Sequence, residues 1–363
     1  MLMAGSAILT ALRETMCVAP AAIVVADVGA AARMQHPEAL RCALTQAGLP
    51  VAFCGHAPAS QRLVAMLDRQ VGSEPEPPSP DFRVLAIVPA YNEADIIAQT
   101  LADMIAQGLT PYVIDNWSSD GTYARARAFL GRGLAGIERF PSEAPPQTYN
   151  LTDILTRVEQ IAAASDWADW VMLHDADERR RSPFAQLTLR EALWRADRAG
   201  FNCIDHVTLN FWPVDDGFDG ERARLEDYFA HFEFSDHPGH FHQRRAWKRT
   251  GAPVALADSA GHDVRFPGRK VYPYKFLLKH YPVRSQRHGE RKVLHERLNR
   301  WNADERARGW HRQYEAAPLR FLRDPATLTR FDKRAFRERY LVQSLSGAGI
   351  FKAPPPWATP PRW

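Results

Sequence analysis

The sequence predicts an α/β fold whose main domain begins with a mainly parallel sheet and ends in an antiparallel second half. Three observations carry that prediction. Between residues 84 and 164, short apolar runs alternate with segments of helical periodicity. The connections between them are short, which favours right-handed crossovers and a parallel sheet. Farther on, the stretches 203–212, 240–247 and 272–281 have the mixed, aromatic-rich composition of antiparallel strands.

Val84 to Val88 is continuously apolar, as expected of a strand covered on both faces. Pro89-Ala90-Tyr91-Asn92-Glu93 breaks the run. Asn92 is the expected N-cap of the next helix, with Glu93 and Asp95 in its first turn, where the helix dipole favours acids. Ile97, Leu101, Met104 and Ile105 form its apolar face, and Gly108 ends it. Tyr112 to Ile114 reads as the second strand, the polar turn 115–122 opens a helix from Tyr123 to Leu130, and Ile137 to Phe140 reads as the third strand. A helix from Thr152 to Ala164 precedes the strand Trp170 to Leu173. A further helix is expected over Phe184 to Ala199, and a long basic helix over Ser285 to Tyr314.

Around this core, residues 1–70 read as a small α/β extension without assignable chemistry. Residues 71–81 read as a linker, with four prolines in its first ten positions. The main domain is expected over 82–285, a basic helical region over 286–345 and a proline-rich tail over 346–363. The 363 residues are 45% hydrophobic and 24% charged, within the range of ordinary globular proteins. Four cysteines without C-x-x-C or framework spacing argue against structural zinc and a disulfide scaffold. No apolar run approaches the roughly 18 residues that span a bilayer, and Met1 to Thr10 lacks a basic start. The expected location is therefore cytoplasmic, with peripheral membrane contact left open.

The chemistry concentrates in Val171-Met172-Leu173-His174-Asp175-Ala176-Asp177-Glu178. Acids begin where the apolar strand stops. In an extended chain residues i and i+2 face the same side, so Asp175 and Asp177 are expected to converge. Two carboxylates at a strand's carboxyl end suit a hard divalent cation, and in an open α/β sheet that end is where ligands bind.

Three stretches taken in order carry a resemblance: 88–93 (VPAYNE), 114–122 (IDNWSSDGT) and 175–178 (DADE). Together they resemble the nucleotide-sugar domain of family 2 glycosyltransferases, which have the GT-A, Rossmann-like fold. The resemblance covers roughly residues 82–180. It implies that Asp115 contacts the base of a nucleoside-diphosphate sugar and that Pro89, Ala90 and Glu93 line the nucleotide. It also implies that Asp175 holds the ribose, while Asp175 and Asp177 hold a Mg²⁺ or Mn²⁺ bridging the diphosphate. The family's reaction is inverting transfer of a sugar to an acceptor hydroxyl, here on an unspecified saccharide, lipid or protein. The chain departs from the family pattern in lacking the Ala-Arg-Asn segment between Ile137 and Trp170, and in carrying Asn116 and Trp117 where an acid and a small residue are usual.

The second half must then supply a general base, metal coordination and diphosphate contacts. Asp236, crowded by aromatics, is the favoured base, with Asp215, Asp216 and Asp263 as rivals in turn-like settings. His280, after the last strand-like run, is the expected third metal ligand, with His262 as its rival; His237, His240 and His242 have metal-like spacing in a loop. Arg284, Arg287 or Arg291 suits bidentate contact with the diphosphate, as does the triplet Arg179-Arg180-Arg181. Other readings are a nucleotidyltransferase, an inactive nucleotide-binding relative, and an anionic-polymer binder using the basic C-terminal helix. The first lacks a glycine-rich loop after the first strand, and acids interrupt the basic face the last would need, so no nucleic-acid partner is expected.

Overall fold

A computed structural model describes residues 77–182, 187–234, 243–272, 275–297, 300, 302–307 and 320–331. The N-terminal extension, the first part of the linker, Asp236 with the neighbouring histidines His237, His240 and His242, and the proline-rich tail lie outside the described residues.

The first half alternates strands and helices: β1 (Val84–Ala90), α1 (Ile97–Ala106), β2 (Thr110–Asp115), α2 (Thr122–Arg127), β3 (Gly136–Arg139), α3 (Leu151–Ala164) and β4 (Trp170–Leu173). The second half adds β5 (Glu178–Arg181), α4 (Leu189–Arg198), β6 (Cys203–Ile204), β7 (His206–Phe211), α5 (Leu225–Tyr228), β8 (His231–Phe234), β9 (Ala246–Lys248) and β10 (Phe276–His280). A short α6 (Gln286–Gly289) runs into a π-helical stretch (Glu290–Arg297), followed by α7 (Ala303–Ala307) and β11 (Thr329–Arg330).

Six strands form the main sheet in the order β3-β2-β1-β4-β9-β6. The first four are mutually parallel and β9 runs antiparallel to both its neighbours, β4 and β6, so the fold is mixed α/β of the GT-A, Rossmann-like kind. The continuous apolar run of β1 follows from its cover. Val84, Ala86 and Val88 pack against α1 and α4, whereas Leu85 and Ile87 pack against α3. The helices start where local chemistry lets them. Asn150 caps α3 by accepting the Asp153 N–H, and Thr188 and Glu191 form a reciprocal capping box on α4. Asn92 does not cap α1 as expected. That helix starts at Ile97 after Ile96, without a side-chain cap, while Asn92 sits in the left-handed region at φ 55° and bonds elsewhere.

A second sheet, β11-β8-β7-β10-β5, was not legible as a separate layer. The chain passes from one sheet to the other within four residues, 174–177, between β4 and β5. The basic segment after residue 285 is not one long helix. It is a four-residue α-turn continued by π-helix, and it lies against the loops after β1 and β4. Among the described residues no helix is long and apolar enough to cross a membrane.

Candidate functional site

The order β3-β2-β1-β4 reverses direction between β1 and β4, and the crevice outside the carboxyl ends at such a point is where open α/β sheets receive ligands. Pro89 and Ala90 end β1, and Ala90 is in register with Asp115 at the end of β2. Leu173 lies opposite Ile87, so residues 174–177 emerge beside the loop after β1. Hydrogen bonds join the β1 and β2 loops. Asn92 Oδ1 accepts the Ser119 N–H at 2.9 Å, and the Glu93 N–H donates to Thr122 Oγ1 at 2.8 Å.

Asp115 is buried at the floor of this crevice. Its Oδ2 accepts the Ser118 N–H at 3.0 Å, while Oδ1 is buried without a hydrogen-bond partner. Burial pushes its pKa up, and the bonds from Ser118 and the charge of Arg139 only partly offset that. A buried acceptor without a donor is costly, so Oδ1 marks a position for an incoming N–H. Aromatic and cationic groups surround it. Arg139 stacks on Trp117 and Tyr123, each 4.8 Å from the guanidinium carbon, and Arg300 lies 4.3 Å over Tyr91 while donating to Asn116 Oδ1.

The acidic stretch does not behave as an extended strand. Residues 176 and 177 form a turn, closed by the Glu178 N–H on the Asp175 carbonyl, so the two aspartates diverge. Arg245 clasps both oxygens of Asp175 at 2.9–3.0 Å and also reaches Glu178. Asp177 turns the other way, and its Oδ2 accepts from Lys292 Nζ at 2.8 Å. His280 Nε2 stands 3.8 Å from Asp177 Oδ1, with Nδ1 3.0 Å from Asn210 Oδ1. The expected metal set of Asp175, Asp177 and His280 is therefore not assembled: only Asp177 and His280 face each other. Among the described residues no three His, Cys, Asp or Glu side chains are grouped to hold a metal ion.

Glu93 and Asp95 are equally committed. Arg284 donates to both Asp95 oxygens at 2.7 and 2.9 Å and to Glu93, whose other oxygen accepts from Lys292 at 2.8 Å. Arg284 commits its Nε and both Nη groups to Asp95, Glu93 and the Tyr281 carbonyl, so it braces the β1 loop rather than presenting a free fork to a diphosphate. Burial pulls Asp177 toward protonation, but Lys292 and His280 outweigh it and hold the group well below the usual carboxylate range. The neighbouring His174 and His206 are driven down by burial first and by Arg180 second, so both imidazoles are neutral.

The rival bases have partners outside this cluster. Asp215 accepts from the Tyr228 hydroxyl and the Gly217 N–H, Asp216 from the Gln286 N–H, and Asp263 from Arg269 at 2.7 Å. His262 bonds to Gln243. Arg179, Arg180 and Arg181 are strand β5. Arg180 bonds Glu178, Arg181 bonds Asp103 and Glu226, and Arg179 donates to Thr100. Sequence reasoning missed Arg245 and the central position of Lys292. Their partners are 70 and 115 residues away, beyond the reach of any local pattern.

No protein-family model and no curated protein matches the chain. Solved structures similar to it include the crystal structure of S. aureus TarS 1–349 in complex with UDP, at 12% identity and a TM-score of 0.32. The aligned part covers 55% of this chain and 60% of that one, so this chain spans about three-fifths of that structure. At that identity and score the likeness carries no functional weight.

Proposed function

We propose that this chain transfers a glycosyl group from a nucleoside-diphosphate sugar to an acceptor hydroxyl. The observation that carries the reading is the unpartnered Oδ1 of buried Asp115 at the carboxyl end of β2. A base edge bearing an N–H satisfies that oxygen. Tyr91, Trp117, Arg139 and Arg300 give the flat, cationic surroundings that a base and its phosphates need. Oδ2 already accepts from Ser118, so Oδ1 is the acceptor left for an N–H of the base. Uracil and thymine carry such an N–H at N3, and we take them as the bases to test first.

In the reaction the acceptor oxygen bonds to the anomeric carbon as that carbon's bond to the diphosphate oxygen breaks. The nucleoside diphosphate leaves with the electron pair, in one inverting displacement. The acceptor proton passes to a base, for which Asp236 is our candidate. Fixed positive charge beside the departing diphosphate lowers the barrier without reorganisation.

Thermal melting with UDP, dTDP, CDP and GDP tests the reading. UDP or dTDP should raise the melting temperature most, and Asp115→Ala should weaken that binding by about tenfold, the worth of one buried hydrogen bond. A protein stabilised by none of the four nucleotides would refute the proposal.

A further inference from the structure

We propose that Lys292 supplies the cation at the diphosphate, so that nucleotide binding needs no divalent metal; the inference rests on the nucleotide site proposed above. Lys292 Nζ lies between Glu93 Oε1, from the loop after β1, and Asp177 Oδ2, from the turn after β4, at 2.8 Å from each. Those two loops flank the point where the strand order reverses, where open α/β sheets receive ligands, and the ammonium is buried between them.

A magnesium ion binds oxygens at about 2.0–2.1 Å in near-octahedral geometry, and it cannot share these two carboxylate oxygens with an ammonium already bonded to both. The other aspartate of the stretch is unavailable, because Arg245 holds both oxygens of Asp175. The lysine is also fixed in place. Its π-helical stretch is pinned to the β1 loop by the bond from Asn92 Nδ2 to Glu296 and by Arg291 donating to the Asn92 carbonyl. Lys292 is 4% exposed, so little of it is lost to solvent screening.

An ammonium has three hydrogens. Two go to Glu93 and Asp177, and the third has no partner among the described residues. A compact point charge with one free donor suits a phosphate oxygen. Arg300, which lies over Tyr91 of the loop after β1 and has no carboxylate partner among the described residues, adds positive charge at that loop. The segment after β10 thus places an ammonium between the two carboxylates, where a bridging cation would otherwise sit.

The test is isothermal titration of the full chain with UDP, dTDP, CDP and GDP, in EDTA and in MnCl₂, together with Mn²⁺ binding followed by electron paramagnetic resonance without nucleotide. The tightest nucleotide should bind within about twofold in the two buffers, and the wild-type chain should take up no stoichiometric Mn²⁺. Lys292→Ala should lower affinity in EDTA by about tenfold or more, the worth of a charge-assisted hydrogen bond, and should gain Mn²⁺ binding at the vacated carboxylates. If that variant fails to fold, the wild-type comparison decides alone. Nucleotide binding that appears only with Mn²⁺, or stoichiometric Mn²⁺ uptake by the wild-type chain, overturns the inference and leaves the glycosyltransferase reading standing. Binding of no nucleotide in either buffer overturns both.

Discussion

Replacing Arg284 with methionine removes the cation that ties the segment after β10 to the loop after β1. The side chain is 1% exposed and makes three charged hydrogen bonds, two to Asp95 and one to Glu93. Losing one partner of a buried ion pair costs about 3–5 kcal/mol. The low end applies here, because the Asp95 side chain is 33% exposed and Glu93 keeps Lys292. At about 2–4 °C per kcal/mol for a domain of this size, a loss of about 3 kcal/mol should lower the melting temperature by roughly 6–12 °C. Circular dichroism melting of Arg284→Met, Asp95→Asn and the double variant reads this directly. The double variant should lie above the sum of the two single losses, because the stranded carboxylate is gone with the arginine. Arg284→Lys should recover little, since one ammonium cannot reproduce the fork. A melting temperature for Arg284→Met within about 2 °C of wild type would refute the bracing role, as would strict additivity in the cycle.

Glu226 gives a pH prediction. Burial raises its pKa, but Lys279 and Arg181 outweigh burial and bring it from 4.5 down to about 2. A lowered folded-state value stabilises the protein above about pH 4.5, and that contribution is lost as pH falls toward 2. The drop is worth about 3 kcal/mol at most. Melting curves from pH 6 to pH 2 should show this loss in wild type and a shallower slope in Glu226→Gln, and parallel slopes would contradict it. Gly220→Ala places a methyl 1.8 Å from the Asp95 carbonyl oxygen, so the backbone must move. It should cost about 1–3 kcal/mol, as overpacking does; an unchanged melting temperature would mean the close approach is absent in solution.

What could be read from the sequence was what short-range periodicity encodes. Strand Trp170–Leu173 has the observed limits, and β1, β2, β3, α1 and α3 lie within a few residues of their expected places, because their apolar faces meet α/β cover on both sides. Ala90 and Asp115 were singled out by the family resemblance instead, and both stand at the carboxyl ends of their strands. The reading failed where charge, not apolarity, fills the interior. Asp175 and Asp177 looked convergent only as long as the chain there was taken as extended. Arg179 to Arg181 looked like diphosphate contacts because a local pattern cannot supply Asp103 and Glu226. Arg284 looked like a diphosphate ligand because its acids lie 189 and 191 residues earlier.

The enclosure of Arg179 and Arg180 has a consequence for protease sensitivity. A run of three arginines is the densest trypsin target in this part of the chain, yet the first two are 3% and 0% exposed although β5 is the edge strand of its sheet. Cleavage there requires β5 to peel away from β10 and from the carboxylates around it, which is loss of the edge strand of the second sheet. Scission after these residues therefore reports the detachment of this edge strand, and the arginine run serves as an internal marker of whether β5 is still docked.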